Sequence, residues 1–327
     1  MIHSVKKSLV LGVGVLALQF SVPASSEAFP DKPVRLILAY STGSGPDIVS
    51  RLVGEHLAKK WKQQVIVENR PGGSGFIAIQ AMLSAPADGY NLLVADGGHI
   101  AVNPHIHKNV PFDSTKDLTG VSLMFKTPFF IAASSSGPIA SVARLIEEAK
   151  AKPGQLSYGT PFVGSPSHLG SALFEQLTGT SMLHAPFKET SQLFSSVATG
   201  QVTWALGTVA TTRPFVESGK VKLLAVAAPA RLAGFENIPT VGQAGGPKDF
   251  HVETWLGVIA RKGTPAVVLE RLSKDIGEVM AQEDVRKYLS DIGFEAVSNS
   301  PGEFDRLIAE DTRRYAELVK QAKIQPQ

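Results

Sequence analysis

The stretch Val34-Arg35-Leu36-Ile37-Leu38-Ala39-Tyr40-Ser41-Thr42-Gly43-Ser44-Gly45-Pro46-Asp47-Ile48-Val49 constrains the chain most. Val34 to Ala39 is a short apolar run with one charge, the pattern of a strand covered on both faces. Gly43 and Gly45 allow a sharp turn with no side chain above it. Pro46 suits the first turn of a helix, and Asp47 favours its positive end. From Ile48 onward, Val49, Leu52, Val53, Leu57 and Trp61 recur at helical spacing. A helix start with N–H groups facing an open turn can hold an anion. The plain alternative is a βα turn without a ligand. A short Gly-x-Gly is a weak signal, so these residues alone favour the plain alternative.

The N-terminus has the layout of a secretory leader. Lys6 and Lys7 precede an apolar run from Leu9 to Phe20, and small residues end at Ser26-Glu27-Ala28. The run is shorter than the roughly 20 residues a bilayer span needs, so cleavage after Ala28 is expected. The chain has no cysteine, which excludes disulfides, thiolate metal sites and lipid attachment through cysteine. The expected product is a soluble exported protein, periplasmic in a bacterium, with no direct insertion into the membrane. Losing Lys6, Lys7 and Glu27 lowers the formal charge from +3 to +2. Near neutrality and the lack of a basic run argue against nucleic acid as a partner.

About 300 residues remain, enough for two domains. Gln64 to Glu68 is a second strand, Ile77 to Leu83 a buried helix, and Tyr90 to Ala95 a third strand. This alternation implies a parallel sheet with helices on its faces and ligands at the carboxyl ends of the strands. Val121 to Phe125 and Phe129 to Ala133, split by Lys126-Thr127-Pro128, mark the passage into a second domain. That domain alternates again, with helices at 142–151, 167–178 and 191–199 and one closing over 216–220. Its strands lie at 156–159, 182–187, 202–206 and 221–227. Thr254 to Ala260 crosses back, and helices follow at 265–282, 283–292 and 301–322. The expected division is 1–28 leader, 29–128 with 253–327 as domain 1, and 129–252 as domain 2. Two crossings with a cleft between the halves permit hinge closure on a small ligand.

Taken together, these residues resemble the periplasmic solute-binding proteins of tripartite tricarboxylate transporters, the Bug family. The resemblance spans nearly the whole mature chain. It rests on Phe29 to Arg35, the Gly43 to Asp47 turn, Val67-Glu68-Asn69-Arg70-Pro71-Gly72-Gly73-Ser74-Gly75 and Ala87-Asp88-Gly89-Tyr90. Val102-Asn103-Pro104, Ser167-His168-Leu169, Gly200-Gln201-Val202 and Ile238-Pro239-Thr240-Val241 extend it. Each motif is weak, but their order and spacing are specific. The resemblance implies an α/β, two-domain Venus-flytrap fold of type II character. Each domain would be a mixed, mainly parallel sheet flanked by helices, with the ligand in the interdomain cleft. It also implies a monomer that captures a small organic carboxylate for membrane transporter subunits, with no cofactor, no metal and no catalytic residue.

The resemblance further implies a ligand site. One carboxylate would meet the first turn, Tyr40, Ser41, Thr42, Gly43, Ser44 and Asp47, partly through water. The other domain would contribute Thr160, Phe162, Val163, Ser165, Ser167 and His168, with Gly207, Thr208 and Arg213 beyond the Gly-Gln-Val strand. Three departures from the family pattern matter. Gly207 and Thr208 stand where amino-acid binders carry an acid, so an ammonium would lack its partner. Phe162, Val163 and Phe76 offer an apolar wall. Ser44 and Pro46 alter the first turn, and Pro46 removes one N–H donor.

Other candidates carry less. His99, His105 and His107 lack metal spacing, and Asn103-Pro104 is expected to break any regular element between them, so they read as surface or supporting residues. Ser165, Ser167 and His168 lack a nucleophile elbow, and Ser167 is expected to cap a helix. Whether His168 touches the ligand is open. Asp96 has two readings, repelling an anion or pointing away. Arg213 is either a solvated helix residue or a fork for a distal carboxylate. Trp204 and Trp255 read as core. A transport receptor is favoured over a sensor subunit of the same fold and over a secreted hydrolase. The favoured ligand is a carboxylate with an uncharged body, aromatic or dicarboxylate, rather than an amino acid. Intact-mass analysis of the exported protein should find an N-terminus at Phe29; retention of residues 1–28 would contradict the leader.

Overall fold

The computed structural model describes residues 29–161, 163–187, 189–321 and 324–326. The expected leader lies outside the described residues. The chain opens with β1 (Val34–Leu38), which leads into α1 (Gly45–Trp61). Ser44 caps α1, its hydroxyl accepting from Asp47 N–H at 3.4 Å, and Pro46 sits in the first turn. β2 (Val65–Asn69), a 3₁₀ turn at Gly73–Gly75, α2 (Phe76–Leu83) and β3 (Asn91–Asp96) follow. A π-helical turn, Gly98–Val102, then runs into α3 (Asn103–Ile106). The break expected at Asn103-Pro104 does not occur. Pro104 falls in the first turn of α3, where its missing N–H is needed by no intrahelical bond.

β4 (Leu118–Pro128) runs straight through the expected interruption at Lys126-Thr127-Pro128. Only Phe129 separates it from β5 (Phe130–Ser134). The middle of the chain then forms α4 (Val142–Ala151), β6 (Ser157–Thr160), α5 (Pro166–Thr178), β7 (Leu183–Pro186) and α6 (Thr190–Ala198). β8 (Trp204–Gly207), α7 (Val209–Glu217) and β9 (Val221–Val226) complete it. α7 stops at Glu217 rather than near Lys220, because Gly219 turns the chain at φ +69°. β10 (Glu253–Arg261), α8 (Ala266–Met280), α9 (Glu283–Asp291), β11 (Glu295–Ala296) and α10 (Pro301–Gln321) close the chain. Among the described residues no helix is long and apolar enough to cross a membrane.

Two mixed sheets result, one of six strands in the order β11-β4-β10-β3-β1-β2 and one of five in the order β7-β6-β8-β5-β9. In the first, β2, β1 and β3 are parallel, β10 runs antiparallel to β3, and β4 runs antiparallel to β10. In the second, β7, β6 and β8 are parallel and β5 is antiparallel to β8 and β9. The parallel strands direct their carboxyl ends, and the turns that follow them, to one edge of each sheet. Both faces are covered. Leu36, Leu38 and Val53 pack on one side of the first sheet, and Ile37, Ile79 and Phe304 on the other. Trp204 and Phe174 fill one side of the second sheet, Leu193 and Phe194 the other.

The chain passes between the sheets at two adjacent points, Phe129 and Val252. Phe129 N–H donates to Val252 O at 2.9 Å, and Ala227 N–H donates to Phe129 O at 2.8 Å. An apolar cluster of Ala101, Val102, Ile106, Leu169, Tyr315 and Val319 also joins α5 of the second sheet to the first.

Phe304, fully buried, lies over two glycines of neighbouring strands. A Cβ at Gly120 would come within 2.7 Å of its ring, and a Cβ at Gly257 would collide with it. Gly257→Ala should therefore lower unfolding free energy by about 1–3 kcal/mol through overpacking. The same substitution should lower it less in a Phe304→Leu background. Urea unfolding of the four proteins checks this, and equal losses in both backgrounds would contradict the slot.

Candidate ligand site between the sheets

The first turn is built around a buried carboxylate. Asp47, 2% exposed, accepts from Gly43 N–H at 2.8 Å, Asn69 Nδ2 at 2.8 Å and Arg51 Nε at 3.2 Å. Arg51 Nη2 lies 3.0 Å from its other oxygen. Burial pushes the Asp47 carboxyl up, but Arg51, Gly43 and Asn69 outweigh it, so the group is held below its usual range. Ser44 N–H donates to Ser41 O at 3.3 Å. The N–H groups of Gly43, Ser44 and Asp47 are thus taken inside the turn, and Pro46 has none. Asp47 braces the turn from behind. Ser41, Thr42 and Gly43 remain exposed at its tip.

The end of β3 supplies a second cluster. His99 Nδ1 lies 2.8 Å from Asp96 Oδ1, and His99 N–H donates to the same oxygen at 3.0 Å. Tyr40 meets the His99 ring edge-on, with centroids 5.2 Å apart. Burial would raise Asp96, but His99 holds its carboxyl down at about 2. Burial alone would lower His99, and Asp96 reverses this and raises it. Burial and Asp96 together push the Tyr40 hydroxyl well above its ordinary value. The ring of His99 lies against bare backbone at Gly75, φ +85°, where a Cβ would collide with it. Asp96 neither stands alone nor turns away; it lies against His99. The sequence alone reads His99 as a surface or supporting residue. The Asp-x-x-His spacing ahead of a helical segment was the available signal, since it places a carboxylate on the N–H three residues on.

From the second sheet comes the turn between β6 and α5. Ser165, not Ser167, caps α5, its hydroxyl accepting from His168 N–H at 3.1 Å and lying 3.1 Å from Ser167 Oγ. Ser167 is one residue inside the helix. His168 is buried, and its Nδ1 accepts from Gly164 N–H at 2.9 Å. Its ring stacks on His184 at 3.9 Å. Burial and the neighbouring His184 push His168 down to about 4, so it is neutral at ordinary pH and braces the turn. Thr160, fully buried, contacts His184 Nε2 at 2.6 Å. Val163 is half-buried; Phe162 lies outside the described residues.

These turns face each other. A Cβ on Gly98 would lie 3.1 Å from Asp96 Oδ1 and 3.5 Å from Pro166 of α5, and a Cβ on Gly164 would collide with Ile106 of α3. The remaining expected residues are engaged elsewhere. Thr208 and Thr211 form a reciprocal cap of α7, and Gly207 packs bare against Phe194 and Thr212. Arg213 donates to Asp291 O at the end of α9. Phe76 turns its ring to His107 at 5.2 Å and Phe112 at 6.1 Å. A separate groove of 480 Å³ opens on the flank of the crossing strands between Lys126, Arg231, Arg286 and Phe294, and it contains none of these turns.

A family model described as the tripartite tricarboxylate transporter family receptor matches residues 49–324. A UPF0065 protein of Bordetella bronchiseptica is 32% identical, with 100% of this chain and 96% of that protein covered. Among solved structures, an R. palustris protein with adipate superposes with a TM-score of 0.82 at 28% identity, covering 91% of this chain and all of that one. MatC from Rhodopseudomonas palustris with bound malate gives a TM-score of 0.76 at 26% identity, covering 89% and 100%.

Asp47→Asn keeps the size of the side chain and removes its charge. It should destabilise the protein by about 1–3 kcal/mol at pH 7, since a buried charge-assisted set is lost. Because the carboxyl is held low, its contribution is present above its ordinary value of 3.8 and fades as pH falls below it. The gap between the two proteins in thermal melts should therefore narrow toward pH 3. A constant gap would contradict the bracing role.

Proposed function

The chain belongs to the tripartite tricarboxylate transporter receptor family, whose members are periplasmic solute-binding proteins, and on that premise we propose that it captures a small, amine-free organic carboxylate between its two sheets. The observation that carries this reading is the meeting of the β3 and α5 turns, where bare glycines let Pro166 and Ile106 approach, with Tyr40 after β1 reaching the same place through His99. The lobes are residues 29–128 with 253–327 and residues 129–252, hinged at Phe129 and Val252. Polar groups at the tips of the first turn and at the Ser165 cap receive the acid, with ordered water completing their hydrogen bonds.

The ligand class follows from charge. No described carboxylate at the Gly207–Thr208 corner awaits an ammonium, and Gly207 has no room for a side chain on its Phe194 side. Asp47 is paired with Arg51, and Asp96 lies against His99, so each carboxylate already has a partner near it in the chain. Burying an unpaired ammonium costs several kcal/mol, so an amino acid is disfavoured. The adipate and malate of the two R. palustris neighbours are acids without an amine, which supports a dicarboxylate, with an aromatic acid as the alternative body. The exported, monomeric receptor then presents its closed form to the membrane subunits of the transporter.

A thermal-shift panel of adipate, malate, benzoate, aspartate and glutamate tests the reading. One of the first three should stabilise the protein by about 2.7 kcal/mol at a hundredfold excess over its dissociation constant, with the amino acids inert. Preferential binding of aspartate or glutamate would overturn the ligand class. Turnover of an ester panel would overturn the receptor reading altogether.

A further inference from the structure

We propose that His99, oriented by Asp96, is the residue that receives the ligand's carboxylate in the cleft, in place of the Gly43, Ser44 and Asp47 N–H groups of the first turn. This deepens the carboxylate reading and rests on it. Three observations converge. The N–H groups of Gly43, Ser44 and Asp47 are already taken within the turn, and Pro46 offers none. His99 stands where the β1, β3 and Gly72–Gly75 turns come together, one residue from Gly98, which faces Pro166 of the second sheet. Its buried Nδ1 lies 2.8 Å from Asp96 Oδ1 without the alignment of a formed hydrogen bond, while its Nε2 makes no hydrogen bond to the described residues and the side chain keeps 18% of its surface exposed.

The chemistry follows from the two ring nitrogens. With Nδ1 held by a carboxylate, a second proton goes to Nε2 and turns it from an acceptor into a charged donor. A charged N–H to a carboxylate is among the stronger hydrogen bonds a cleft can offer. The neutral ring presents a lone pair to the same anion and repels it. Asp96 therefore acts as a positioning residue that both aims the ring and favours its charged form.

The groups facing His99 set the sign of the pH dependence. Asp96 at the end of β3 is ionised and favours the imidazolium. Tyr40, two residues after β1, stays neutral, since burial and Asp96 hold its proton on. Tyr315 from α10 is pushed up to about 12 and is likewise neutral. The Gly72–Gly75 turn and Pro166 bring no charge. His99 is thus raised above its ordinary 6.5, so the charged donor is present below that value and disappears as pH rises through the raised one. Carboxylate affinity should follow it down, because the ligand itself stays ionised across this range.

Calorimetry with adipate, malate and benzoate from pH 6 to 9 tests the assignment on the full mature chain. For whichever of these binds, affinity should fall roughly tenfold or more over that range. His99→Gln should bind roughly tenfold more weakly at pH 6 and show a flat profile. Asp96→Asn should move the fall to lower pH, a change that loss of structure alone would not produce. His56→Gln, which alters a histidine paired with Asp284 on α1, is the control and should match the parent. Melting curves at each pH establish that the variants are folded. A parent-like affinity and pH profile in folded His99→Gln would overturn the assignment while leaving the carboxylate reading intact. Failure of all three acids to bind would overturn the carboxylate reading and this assignment with it.

Discussion

Gly164 and Ile106 set how closely the two sheets can approach. Gly164 is in the left-handed region at φ +82°, and its bare α-carbon receives the Ile106 side chain of α3. Gly98 against Pro166 repeats the device, as does Gly293 against Val209. In each pair one partner has no side chain, so backbone on the side of one sheet lies against a side chain on the side of the other. The β3 turn and the α5 start can therefore share one small space. The buried cluster of Ile106, Leu169 and Tyr315 also joins the two sheets, and the two crossings at Phe129 and Val252 are hydrogen-bonded to each other.

The alternation of strands and helices was legible because apolar runs flanked by turn residues leave few other solutions. What the sequence misjudged were positions where tertiary pairing outweighs local signals. Lys126-Thr127-Pro128 reads as a break, yet β4 continues because β10 pairs with it as far as Pro128. Asn103-Pro104 reads as a breaker, yet the π-helical turn before it delivers Pro104 into a helix start. The two-residue β11 is too short to carry a periodic pattern of its own.

The site was legible as a set of turns and illegible as a set of contacts. Position in the chain brings Ser41 to Asp47 and Ser165 to His168 to the same sheet edges. Only coordinates show that Asp47 consumes the Gly43 N–H, that His168 consumes that of Gly164, and that Phe76 and Arg213 bond elsewhere. Asp96 is the instructive case. An isolated aspartate at a proposed anion site looks unfavourable, but the same carboxylate raises the proton affinity of the histidine beside it, which works against that repulsion.

A crystal structure of the mature protein with a bound carboxylate tests the central claim, that the ligand lies where the β1 and β3 turns meet the start of α5. The account predicts electron density for a carboxylate group against His99, with the rest of the acid running toward the Ser165 cap. Density instead in the flank groove between Lys126 and Arg286, with the turns at Gly98 and Gly164 empty, would contradict it.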